Sequence, residues 1–282
     1  MLKMSTQETD TFSVQRSVNN GIEHITYIPK HRRFETPIFM QHGMWHGAWC
    51  WQQWQELFAQ WGWESHAISL PGHAGSPTQR PIYFCTLDYY LRFIKAEINR
   101  LSCPPVLMGH SMGGALTQWY LKYVSDDLPA AVLVAPWESH SIIGGFTRFL
   151  KLDPIGMLLA SLSGSANPLI RTPQQAAKKL ISMGAIYTPE EFHAHLSPES
   201  VWVMMQHNPP FWYPAKQVRT PLLWLAGEID ATISVEAERQ SAAYYQADFI
   251  VVSNAAHNLM MEHNYRETAE TIHNWLNKRG IK

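Results

Sequence analysis

The sequence predicts an α/β fold built on a mostly parallel, doubly wound sheet with an N-terminal antiparallel edge. Three observations carry this. From residue 38 onward, short apolar runs alternate with segments of helical periodicity. Ahead of them, residues 12–18 and 22–28 read as two strands joined at Asn19-Asn20-Gly21, a hairpin signal. The alternation breaks once, over residues 138–219, where helical patches and prolines occur without a strand pattern.

The elements follow in order. Ile38-Phe39-Met40-Gln41 reads as a strand, and Trp49 to Trp61 as an amphipathic helix with Trp51, Trp54, Leu57 and Phe58 on one side. Ser65 to Leu70 is a strand ended by Pro71-Gly72, and Thr86 to Leu101 a helix. Pro105 to Met108 and Ala131 to Ala135 are short buried strands flanking a helix that starts near Ser111. After the break, Pro221 to Ala226 and Asp248 to Val252 are strands, and Tyr265 to Lys278 is a closing helix. The expected organisation is a core formed by residues 1–137 and 220–282, with residues 138–219 inserted as a helical cap. Such an insertion is expected to lie over the carboxyl ends of the strands, where sheets of this class bind ligands.

Composition narrows the function. A formal net charge of -1 supplies no basic field for nucleic acid or an anionic membrane. No run of about 20 apolar residues is present, so no membrane span is expected. Three cysteines make no disulfide framework, and the first residues lack an apolar signal core. A cytoplasmic protein, a monomer or homodimer without cofactor, is the expectation.

The most informative residues are Gly109-His110-Ser111-Met112-Gly113, a G-x-S-x-G placed between a predicted strand and a predicted helix. That context is what makes the pattern a nucleophile elbow, in which a strained turn exposes the serine hydroxyl at a strand tip. An alcohol is a poor nucleophile at neutral pH, so Ser111 needs a base, and the base needs an orienting acid. His257 follows the last predicted strand, where a loop can return over the elbow. The acid is open on this reading: Asp230 follows the strand at Leu222, Glu138 follows the strand before it, and Glu228 is a further candidate. Oxyanion donors are expected at the amide of Met112, at a helix start, and at the amide of Met44 in the loop His42 to Trp49.

The residues His42-Gly43, Pro71-Gly72-His73-Ala74-Gly75-Ser76, Gly109 to Gly113, Asp230 and His257 together resemble the α/β-hydrolase superfamily over essentially the whole chain. The stretch HGMWHGAWCW, His42 to Trp51, is similar to plant methylesterases and hydroxynitrile lyases. The resemblance implies the α/β-hydrolase fold, Ser111 as nucleophile, Asp230 as acid, His257 as base, and Met44 and Met112 as oxyanion donors. Two departures touch a loop beside the site: Ala74 and an offset Gly75 in the P-G-x-G-x-S segment, and Ser69 where aspartate is common.

The expected activity is hydrolysis of a carboxylic ester of a small to medium apolar substrate. A lactonase, a thioesterase, a C–C hydrolase or lyase, and a ligand-binding receptor on the same scaffold are the alternatives. Trp45, Trp137 and His110 are expected to contact substrate. Met157, Leu158, Leu159, Trp202, Met204, Met205, Phe211, Trp212 and Tyr213 are expected to build an apolar pocket under the insertion. His193 and His195 with Glu190 and Glu191 hint at a metal, but the spacing is not that of a ligand motif and a solvated helix is the better reading.

Overall fold

A sheet's two kinds of strand are decided by what covers their faces, and this chain shows both. The computed structural model describes residues 5–282, so the first four residues of the expected core lie outside it. Strands β1 (Ser5–Glu8), β2 (Phe12–Asn19) and β3 (Ile22–Pro29) form an antiparallel meander, with Asn20-Gly21 as the two-residue turn between the last two. Alternating burial in β3 fits an edge packed on one face only. Strands β4 (Ile38–Gln41), β5 (Ser65–Ser69), β6 (Val106–His110), β7 (Ala131–Val134), β8 (Leu222–Gly227) and β9 (Asp248–Val252) are mutually parallel. Every residue of β4, β6, β7 and β8 is buried, which is why these strands read as continuous apolar runs.

The strand order is β1-β2-β3-β5-β4-β6-β7-β8-β9. The chain winds one way from β4 to β5, then reverses and runs from β6 to β9. Right-handed crossovers therefore place helix α1 (Gln52–Gln60) on one face. The same rule puts α2 (Leu87–Ile98), α3 (Met112–Tyr123) and α9 (Val235–Tyr244) on the other. The final helix α10 (Tyr265–Lys278) packs on α1. The reversal leaves a crevice at the carboxyl ends of β4 and β6, the position at which open α/β sheets bind ligands.

Between β7 and β8 lie α4 (Ile143–Leu152), α5 (Pro154–Ser163), α6 (Pro173–Leu180), α7 (Pro189–Ala194) and α8 (Val201–Gln206), with no strand among them. Their boundaries are set by caps. Asp153 accepts from the Gly156 amide with Pro154 at the first turn of α5, and Thr188 and Glu191 form a capping box on α7. Asp153 also pairs with Arg171 and with the buried Lys179, so one carboxylate ties α5 to α6.

The insertion is fastened to the sheet domain by buried polar contacts. The Tyr90 hydroxyl donates to Glu199 Oε1 at 3.0 Å, and His73 Nε2 lies 3.1 Å from Glu199 Oε2. The Ser197 amide donates to the Trp45 carbonyl at 2.7 Å. The Trp119 indole donates to His207 Nδ1 at 3.1 Å.

The structure departs from the sequence reading in three elements. Strand β1 is polar and exposed along its length, so no alternation announces it. The helix expected from Trp49 starts as a 3₁₀ turn, Ala48–Trp51. Helix α9, VEAERQSAAY, mixes small and charged residues and carries no apolar stripe.

Glu199 is fully buried and engages both Tyr90 and His73, so Glu199→Ala leaves two buried polar groups of the sheet domain without partners. We expect it to lower unfolding free energy by about 3 kcal/mol. Urea denaturation checks the loss, and limited proteolysis between residues 138 and 219 should accelerate with it.

Candidate active site

Ser111 joins β6 to α3 with φ 52° and ψ −116°, a conformation that costs a non-glycine residue energy and that lifts its side chain off the strand tip. The turn exists only because its neighbours lack side chains. A Cβ on Gly113 would sit 2.1 Å from the carbonyl oxygen of Gln41. On Gly43 it would sit 2.9 Å from Cβ of Ser111 and 2.8 Å from Nδ1 of His110. The loop after β4 is thereby pressed against the elbow. The amides of Met44 and Met112 make no hydrogen bond within the described residues, and the Met112 amide opens α3. Two unpaired N–H groups beside one hydroxyl suit a developing oxyanion.

Two histidines hold that loop in shape. His42 Nδ1 donates to Gly43 O at 2.8 Å while its Nε2 accepts from the Leu70 amide at 3.0 Å. His46 Nδ1 donates to Met44 O at 2.6 Å while its Nε2 accepts from Asn258 Nδ2 at 3.0 Å. Each ring must be neutral to donate and accept at once. Burial favours that form, pushing His42 well below the ordinary imidazole range and His46 down to about 4. Trp45, between them, adopts φ 64°, and its carbonyl is the one bound by Ser197. The two sequence departures sit beside this loop. Ser69 Oγ accepts from the Ala48 amide and donates to Glu23 Oε2, and Ala74 takes a left-handed φ of 44°.

His257 and Asp230 come from separate loops and meet at 2.6 Å, Nδ1 to Oδ2. Oδ1 of Asp230 accepts three further bonds, from the Thr232 amide (2.7 Å), the Thr232 hydroxyl (2.8 Å) and the Ile233 amide (3.1 Å). Burial alone would raise this carboxyl, but the His257 charge and these donors outweigh it and hold it below the usual carboxylate range. An ionised Asp230 fixes the proton of His257 on Nδ1 and leaves Nε2 a lone pair. Thr232 escaped the sequence reading, although Asp-x-Thr is a known pattern for a side chain bonding two residues onward.

Ser111 and His257 face one narrow cavity with Met44, Trp45, Trp137, Glu138, Phe146, Met204 and Thr232. Its volume is small, about 30 Å³. No hydrogen bond joins Ser111 to His257. Such contacts are commonly long in a free enzyme and tighten with substrate in place.

The expected contact residues divide. Trp45 and Trp137 line the cavity. His110 does not: it lies fully buried behind it, with Nε2 donating to the carbonyl of His257 at 3.2 Å. It positions the His257 loop, and its site between strand and turn could not be told from a pocket position by sequence. Among the apolar residues expected under the insertion, Met204 alone lines the cavity. Leu158, Leu159, Trp202, Met205, Phe211 and Tyr213 are exposed, Trp212 is buried against Trp119 and His207, and Met157 is half-buried in packing. Ile142, Phe146, Phe149 and Leu180 supply the wall instead, because the helices present that side to the sheet.

Glu138 lies in the cavity wall and not against His257 Nδ1, which Asp230 occupies. Glu228 accepts from the Asn254 amide at 2.8 Å, away from the imidazole. His193 donates to Ile170 O, His195 stacks on Trp49, and Glu191 serves the capping box.

A model of the Alpha/beta hydrolase family matches residues 38–271. The chain belongs to that family. Among solved structures, an esterase from Thermogutta terrifontis superposes with a TM-score of 0.70 at 16% identity, covering 99% of each chain. A soluble variant of the monoglyceride lipase of Saccharomyces cerevisiae gives 0.69 at 12% identity, covering 99% of this chain and 97% of the other. These likenesses concern the fold. The pFDCC methylesterase MES16 of Arabidopsis thaliana is 33% identical over 98 residues, spanning 33% of this chain and about a third (36%) of that relative. The nine-stranded α/β-hydrolase sheet thus agrees with the sequence reading, including its antiparallel edge. No helix among the described residues is long and apolar enough to cross a membrane.

A second acid lies close by. Glu238, on α9, is fully buried with both carboxyl oxygens unpartnered; burial first, then the charges of Asp230 and Glu138, push its carboxyl well above the ordinary 4.5. The unfolded chain releases this proton near the ordinary value while the folded chain keeps it. Stability is therefore full below about pH 4.5 as far as this group is concerned, and falls as pH rises above it. Glu238→Gln should remove that slope and raise stability at pH 7 more than at pH 5, which denaturation at the two pH values measures.

Separately, Gly43→Ala should destabilise the fold by roughly 1–3 kcal/mol and slow fluorophosphonate labelling of Ser111, since the added methyl must push the loop off the elbow. Labelling rate with and without the substitution checks it.

Proposed function

We propose that the protein is a serine hydrolase of carboxylic esters, acting on a small to medium, mainly apolar substrate bound under the insertion as a cap. One observation carries the reading: a strained serine and an imidazole already paired with an ionised carboxylate line the same largely apolar cavity. The family membership and the fold neighbours, esterases and lipases by name, support it.

In this mechanism Ser111 Oγ attacks the ester carbonyl while His257 Nε2 takes its proton. Asp230 stabilises the imidazolium, and the Met44 and Met112 amides receive the oxyanion. His257 then protonates the leaving alcohol. Water, deprotonated by the same ring, attacks the acyl-enzyme, and collapse of the second tetrahedral intermediate frees the acid and restores Ser111. The partner is a small apolar ester, and no step requires a metal or cofactor.

The cavity as it stands admits little more than a small acyl group, so residues 138–219 must shift for larger substrates to enter. Trp45, Trp137 and Met204 are the proposed apolar walls.

Ser111→Ala should abolish turnover of short p-nitrophenyl esters, a loss on the order of 10⁵-fold or more, with little change in Tm. Turnover retained in that variant would exclude the acyl-enzyme. Asp230→Asn should lower kcat about 10⁴-fold by allowing the wrong tautomer of His257, whereas Glu138→Gln should not.

A further inference from the structure

The mechanism leaves one buried functional group of the cavity unused. We propose that Glu138 is a specificity-determining residue: its carboxyl donates a hydrogen bond to an ether, ester or ketone oxygen that the substrate carries apart from the scissile ester. This rests on the hydrolase reading above and names the substrate class within it, an oxygenated ester.

The argument is one of unmet bonding. Glu138 is 7% exposed, lines the same cavity as Ser111 and His257, and its Oε2 is buried without a partner. Leaving a polar group so placed is costly unless something pairs with it. The indole N–H of Trp45, another wall of the cavity, is likewise unpartnered. Met44, Ile142, Phe146, Phe149 and Met204 make the rest of the lining largely apolar, so a ligand oxygen entering this cavity meets two donors without a protein acceptor.

The groups around Glu138 keep its proton in place. Burial, and after it the neighbouring charge of Asp230, push its carboxyl up to about 7, against the opposing effects of its own backbone amide, Arg148 and His257. Glu238 faces the same acidic cluster from α9 and is itself held neutral. His207 engages Glu138 only through the carbonyl, at 2.8 Å from Nε2, and burial keeps that ring neutral, at about 3. Near neutral pH and below, Glu138 is therefore a donor. Above it, the carboxylate repels an oxygen acceptor.

The test exchanges one CH₂ for O. Hydrolysis of p-nitrophenyl methoxyacetate is compared with that of the butyrate, and of 2-methoxyethyl acetate with that of butyl acetate, in wild type, E138Q and E138L. Ratios of kcat/KM between variants cancel the intrinsic reactivity of each ester. At pH 6, wild type should favour the oxygen member of at least one pair about tenfold over E138L. E138Q, which keeps an N–H donor in the same volume, should retain most of that preference. Wild-type preference should fall as pH rises past 7, and that of E138Q should not. Equal ratios in wild type and E138L for both pairs, with all three proteins labelled at Ser111 by a fluorophosphonate and equally folded by Tm, would overturn the proposal alone. Absence of labelling in wild type would overturn the hydrolase reading itself and this inference with it.

Discussion

Three carboxyl groups, Asp230, Glu138 and Glu238, are buried near one another beneath the carboxyl ends of the sheet, and their surroundings favour the negative charge on one of them. Asp230 takes it because it is given the most donors: an imidazole on one oxygen, two amides and a hydroxyl on the other. Glu138 and Glu238 each have unpartnered oxygens, and both are pushed toward the neutral form in part by the charge on Asp230. The orientation of His257, the tautomer it adopts and the polarity of the cavity wall all follow from this division.

The division needs a frame that does not yield. Around the elbow that frame is made by absence of side chains and by neutral rings. Gly43 and Gly113 let the β4 loop and α3 pack tightly against one another at Ser111. His42 and His46 then lock the loop through paired donor and acceptor bonds, and Asn258, the residue after His257, donates to His46. His110 adds a bond to the His257 carbonyl. The histidines flanking the site are thus structural members with fixed protons, kept uncharged by burial so that they do not compete with the His257–Asp230 pair for the negative charge.

The insertion contributes differently. Its polar anchors, Glu199 to Tyr90 and His73, and Ser197 to Trp45, sit on the body side, while several of its large apolar residues face outward. It closes the cavity with Ile142, Phe146, Phe149, Leu180 and Met204, leaving a slot too narrow for a large ligand without movement. Access and selectivity are therefore expected to be set by the same helices.

Local signals were legible in the sequence where local physics decides. Fully buried strands announce themselves as apolar runs, the hairpin as Asn-Gly, the elbow as glycines around a serine between strand and helix, and the interrupted rhythm as the run of helices between β7 and β8. Strand β1 and helix α9 were silent because neither buries a continuous apolar stripe. The order of the chain also placed Asp230, Glu138 and His257 after strands, but all three are carboxylates or imidazoles in loops of similar composition. Which carboxylate meets the imidazole, which one stays protonated in the cavity wall, and which apolar residues of the insertion face inward depend on distances across loops far apart in sequence. The chain by itself determined the fold and the menu of reactive groups. The tertiary structure decided their pairing, because burial and the count of hydrogen-bond donors around each carboxyl exist only once the loops converge.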